Sequence, residues 1–139
     1  MAIELVPLCT LRIKLREPIV LGDTPAGVRL IIEVESGVVE GDRLRGTITG
    51  NSTADWFTIG PEGTGTLDIR ALIETDDGAL VFVQYYGRND MSSSPNAPLY
   101  VAPRFETGDD RYRWLNPLLA VGKGTLDGLN LTYEFHEVR

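Results

Sequence analysis

Residues 66–86, Thr66-Leu-Asp-Ile-Arg-Ala-Leu-Ile-Glu74, Thr75-Asp-Asp-Gly78 and Ala79-Leu-Val-Phe-Val-Gln-Tyr-Tyr86, decide the fold class. Leu67, Ile69 and Ala71 alternate with Asp68, Arg70 and Leu72, the period-2 pattern of a strand. A second strand-like run of β-branched and aromatic residues follows after four residues, and the Asp-Gly at 77–78 is a strong signal for a hairpin turn. The pair reads as an antiparallel hairpin.

Outward from it, the same punctuation recurs. Residues 5–15 alternate Leu11, Ile13 and Leu15 with Arg12, Lys14 and Arg16. Pro18 and the glycines at 22 and 27 break the pattern before a strand over 28–35. Short strands are expected at 36–41, 44–50 and 54–59, and a longer one at 100–105, where Pro103 cannot donate to a ladder and marks an end, edge or bulge. Residues 109–119 read as a short helical turn or strand, and residues 129–138 alternate Leu129, Leu131, Tyr133 and Phe135 against polar partners. Residues 88–98, with Ser92-Ser-Ser-Pro-Asn96, hold almost no apolar side chains and read as an exposed, mobile loop at one mouth of the domain. The expectation is all-β: one antiparallel closed barrel of about 8–10 strands, formed by residues 1–139 as a single domain, because closure removes exposed edges.

Composition narrows the function. The chain has 139 residues, 42% of them apolar and 24% charged, the balance of an ordinary globular protein. A net charge of −7 with scattered basic residues argues against nucleic acid and anionic membranes as partners. The acidic N-terminal stretch lacks the charge and apolar pattern of a secretory signal, so a cytoplasmic location is expected. Cys9 is the only cysteine and reads as a buried free thiol; His136 is the only histidine and reads as a surface or interface residue. With one of each, no nitrogen or sulfur metal site is expected. Gly60 to Gly65 lacks the Lys-Ser/Thr of a phosphate loop.

Gly37-Val-Val-Glu-Gly41, Ala54-Asp-Trp56, Leu67-Asp-Ile-Arg70, Thr75-Asp-Asp-Gly78, Pro103-Arg-Phe-Glu-Thr107, Tyr112-Arg-Trp-Leu-Asn116 and Val121-Gly122 resemble, in order and spacing, the DUF3237 (UPF0311) family. The chain departs from the usual pattern at Asn51-Ser52-Thr53, where the family more often has glycines. The resemblance implies a small β-barrel, and relatives that resemble chalcone-isomerase-like cyclases or isomerases supply its one catalytic lead.

Joined to the residue types at hand, that lead points to a cofactor-independent isomerase, cyclase or lyase acting on a small aromatic or polyketide-like enone inside the barrel. Such chemistry needs a base, a cation for the enolate and an acid to return the proton. Glu106 or Asp55 is the candidate base. Arg104 or Arg70 would hold the enolate, and Tyr112 or Tyr86 would relay a proton. Trp56, Asp68, Tyr86, Trp114 and Asn116 are the candidate substrate-binding residues. This set requires the charged faces of the strands at 67–74 and 100–106 to look inward. If they look outward, a non-catalytic binding barrel for a small hydrophobic oxygenated molecule, or a structural domain that self-associates, becomes the better reading. A homo-oligomer is expected only on general grounds.

Overall fold

A computed structural model describes all residues, Met1–Arg139. Ten strands follow one another: β1 Leu5–Leu15, β2 Ile19–Thr24, β3 Gly27–Glu40, β4 Gly46–Ile48, β5 Ala54–Ile59, β6 Thr64–Thr75, β7 Leu80–Asp90, β8 Leu99–Glu106, β9 Ala120–Asp127 and β10 Asn130–Val138. A single 3-10 turn, Arg113–Leu115, interrupts them. Every pairing is antiparallel.

The ring runs β1, β10, β9, β8, β7, β6, crosses to β3 through β4 and β5, and closes from β3 onto β1. Strand β3 serves two stretches of wall. Its first half pairs β2 and β5, its second half β1 and β4. β4 and β5 thus share one place in the ring, which gives a closed barrel of eight strand positions.

Hydrophobic alternation sets which face is inside. Leu67, Ile69, Ala71 and Ile73 of β6, Val81, Val83 and Tyr85 of β7, and Leu131, Tyr133 and Phe135 of β10 are all buried in one core. Each large aliphatic or aromatic side chain so removed from water contributes about 1.5–3 kcal/mol before entropy is charged. The opposite faces, with Arg70, Glu74, Arg88, Arg104 and Glu106, are exposed. The hairpin forms as expected. Gly78 takes φ +89°, which a turn residue with a Cβ would resist, and its N–H donates to the Thr75 carbonyl at 2.9 Å.

Three stretches differ from their sequence reading. Residues 19–24 form β2, not a break, because exposed Ile19 and Val20 ladder onto β3 alone, with Leu21 in a bulge before the ladder resumes at Gly22. The expected strand at 36–41 is the second half of β3. Ala120–Asp127 is a full strand, which the sequence pattern does not mark. A Cβ at Gly122 would stand 2.5 Å from the Phe135 ring and one at Gly124 would stand 2.6 Å from the Tyr133 ring, so these glycines make room for aromatic neighbours. No helix is long and apolar enough to cross a membrane.

Candidate functional site

The barrel's two ends are different. At the end formed by the finish of β6 and β8, the segment after β8 folds back as the 3-10 turn and seals the opening. Leu115 is fully buried there, in the core with Leu8, Leu44 and Phe105. The other end holds a cavity of about 200 Å³. Its wall is mostly apolar, including Ile13, Leu30, Phe57, Leu67 and Leu99. Met91, Pro95 and Ala97, from the segment joining β7 to β8, lie over its mouth. That segment is held by the Met91 N–H donating to the Gly63 carbonyl (2.8 Å) and by turns in which Asp90 and Ser94 side chains accept backbone N–H groups.

Four residues bring polar atoms to this cavity: Asp55, Tyr85, Asn89 and Tyr133. Asp55 reaches it because β5 places Asp55, Phe57 and Ile59 in phase, with Asp55 facing Ile69 and Ile59 facing Gly65 of β6. The β5–β6 ladder has no bridge at Trp56 and Phe57. There the Asp68 N–H donates to Asp55 Oδ1 at 3.0 Å, and Arg29 Nη1 donates to the Trp56 carbonyl at 2.9 Å. Burial pushes the Asp55 carboxyl up to about 7; the Asp68 N–H opposes the shift, the Asp68 charge adds to it and Arg29 opposes it.

Tyr85 and Tyr133 pack edge to face, ring centroids 5.5 Å apart, and both stand against Phe135. Burial raises both phenols well above their ordinary range, and the Asp55 charge raises them further. A carboxyl that holds a proton near neutrality, with two neutral phenols in a mostly apolar pocket, is equipped to take and return a proton. Asn89 is buried, its Nδ2 3.2 Å from Met91 Sδ, with its Oδ1 unpartnered. No three His, Cys, Asp or Glu side chains converge as a metal site.

Of the residues the sequence singled out, Asp55 alone lines this cavity. Arg70, Arg104, Glu106 and Tyr86 point outward and are exposed, since their strands bury the apolar face and the alternation sends the charges to solvent. The inward-facing charged cluster is thereby corrected. Trp56 and Asp68 lie on the outside with Arg70, whose guanidinium sits 5.8 Å from the Trp56 ring centre. Tyr112, Trp114 and Asn116 belong to the sealed end. The Tyr112 hydroxyl donates to Asp77 (2.8 Å), Arg43 lies 5.4 Å from the Trp114 ring centre, and Asn116 accepts from Thr107 N (2.8 Å) and donates to Thr107 O (3.0 Å). Trp56, Asp68, Tyr86, Trp114 and Asn116 therefore do not share one cavity. Tyr85, Asn89 and Tyr133 were missed, yet they carry a signal: each is a polar-tipped residue in phase with the apolar side of its strand. Cys9 is buried as expected, and burial pushes its thiol up to about 12.

The fold and this chain's sequence both have relatives. A UPF0311 protein from Rhodopseudomonas palustris is 32% identical over 130 residues, 84% of either chain. The hydroalkoxylation enzyme phnH of Penicillium herquei is 32% identical over 97 residues, 70% of this chain and 58% of that protein. A crystal structure described as a β-barrel-like protein from Acinetobacter baumannii superposes with a TM-score of 0.89 at 30% identity, covering 100% of this chain and 98% of that one. With a family model matched from residue 3 to residue 138, the chain belongs to the family described as protein of unknown function, DUF3237.

Proposed function

We propose that the cavity end carries a cofactor-independent proton-transfer reaction that cyclises or isomerises a small unsaturated, oxygenated molecule. The observation that carries the proposal is the placement of one carboxyl, Asp55, with Tyr85, Tyr133 and Asn89 in an otherwise apolar cavity. The relative named for hydroalkoxylation lends support, since that reaction adds an O–H group across a carbon–carbon double bond.

In the form that suits this site, Asp55 takes the proton of a substrate hydroxyl. The oxygen then bonds to one alkene carbon while the π pair moves to the other, or onto a conjugated carbonyl oxygen that Tyr85 or Tyr133 holds by hydrogen bond. The protonated Asp55 returns the proton, so substrate and product have the same atoms. A cavity of about 200 Å³ admits a single ring. Larger substrates require the 91–97 segment to move.

The test is a screen of hydroxyaryl enones and allyl-substituted phenols, following binding and product together. Asp55→Asn is expected to lower kcat by about 10²–10⁴-fold while binding persists, and kcat of the wild type should rise with pH through about 7 as Asp55 loses its proton. Ligands that bind without turnover would favour the non-catalytic binding barrel, which the apolar lining also suits. Turnover that survives Asp55→Asn for every hit removes the assignment.

A further inference from the structure

The outer surface of β7 to β10 carries a shallow depression of about 700 Å³, separate from the inner cavity. Two cross-strand rows build it. Arg88, Tyr100, Lys123 and Glu134 follow one another across β7, β8, β9 and β10 in direct register. In the next row Tyr86 stands opposite Ala102 and Val121 opposite His136, and the β8–β9 register, continued one step beyond Val101 and Gly122, sets Ala102 beside Val121. Tyr86 and Tyr100 are 49% and 57% exposed, large apolar area for a monomer's surface.

The charges of the first row make no close ion pair within the chain, although Lys123 and Glu134 are cross-strand neighbours. Arg88, Lys123 and Glu134 take part in none of its ion pairs. Arg88 donates only to the neighbouring Gly87 carbonyl at 3.3 Å. With three strand spacings of about 4.8 Å between them, Arg88 and Glu134 stand about 14 Å apart and cannot meet. The row is therefore cationic at its β7 side and anionic at its β10 side.

We infer that this face binds a second copy of the chain about a twofold axis parallel to the strands, between β8 and β9. That operation reverses the order of the four strands across the interface. Arg88 then faces Glu134 of the second copy, and Tyr100 faces its Lys123, continuing the contact in which Lys123 already lies 6.0 Å from the Tyr100 ring centre. In the second row Tyr86 meets His136, and Val121 enters the space left by Ala102. Each pairing occurs twice. The chain's net charge of −7 opposes association in general, so the contact depends on this local complementarity. Two short rows give a modest interface, weak enough to dissociate on dilution.

Sedimentation over a range of concentrations tests it, with circular dichroism confirming that each variant is folded. Arg88→Glu and Glu134→Arg are both at exposed positions, and each is expected to weaken dimerisation by about tenfold or more. The double variant should dimerise like the wild type. An equimolar mixture of the two single variants should form heterodimers, because each then supplies the charge the other lacks. A wild type that stays monomeric throughout overturns the inference, as do single variants that dimerise normally or a mixture that fails to recover.

Discussion

The sealed and the hollow ends of the barrel use similar residue types in opposite ways. At the sealed end the polar groups are consumed by one another. Arg111 forks onto Asp109 with contacts of 3.0 and 2.9 Å, Thr107 Oγ1 donates to the Leu80 carbonyl at 2.7 Å, and Glu137 is held between Arg43 and Arg139 at 2.8 and 3.1 Å. At the hollow end Asn89 Oδ1 has no partner, and Asp55 is kept close to its neutral form. The difference separates what holds the fold from what is free to act on a ligand. It also explains why Tyr112-Arg-Trp-Leu-Asn116, distinctive as sequence, marks the plug and not the cavity.

If the ends are independent, damage to one should leave the other's property intact. Leu115→Ala empties a fully buried position in the plug, and is expected to cost about 3–4 kcal/mol of stability. Chemical denaturation measures that cost, while ligand affinity at the hollow end, read well below the melting temperature, should hold. A loss of affinity in step with stability would break the comparison.

Asp55→Asn should do the reverse, raising stability while removing activity. Folding lifts the Asp55 pKa from 3.8 to about 7, so the native state binds this proton more tightly than the unfolded chain. The resulting penalty is absent below about pH 4, grows as pH rises toward 7 and is complete above it. A shift of this size corresponds to at most about 4 kcal/mol. Denaturation at pH 8 should show the variant more stable by about 2–4 kcal/mol, and at pH 4 the two proteins should be alike. An unchanged or lower stability at pH 8 would mean that Asp55 is ionised without strain.

The all-β class, the 66–86 hairpin and the closure were legible because alternation and turn chemistry are local. The face that looks inward is legible in the same alternation: Leu67 and Ile69 cannot face water so that Asp68 and Arg70 may face the core. Asp55 is a candidate base in the sequence through the Ala54-Asp-Trp56 stretch, and its phase with Phe57 and Ile59 is what carries it to the cavity. Tyr85 and Tyr133 did not stand out, since a tyrosine on an apolar face is ordinarily core, and only the three-dimensional meeting of β5, β7 and β10 brings their hydroxyls toward Asp55. β9 was hidden for a similar reason. Its glycines answer to rings on β10, a demand that lies outside the local sequence.

The smallest expected effect concerns the sign of pH dependence at the sealed end. Hydrogen bonds from Arg111 hold the Asp109 carboxyl down at about 2, those from Thr75 and Tyr112 lower Asp77, and those from Arg139 and Arg43 lower Glu137. A carboxyl depressed on folding adds stability that is present above the unfolded pKa and lost as pH falls through the folded one. The plug should therefore loosen between about pH 4 and pH 2, the acid side of the window in which Asp55 acts with opposite sign. Asp109→Asn is expected to lower Tm at pH 7 by only about a degree or two, because its ion pair with Arg111 is open to solvent. The gap between the variant and the wild type should narrow as pH falls to 2, where roughly half of the native carboxyl is protonated. Thermal melts across pH for Asp109→Asn and Asp55→Asn should then diverge from the wild type in opposite directions, the first downward and the second upward as pH rises. Two curves that moved together would mean that the ends do not differ in how they hold their acids.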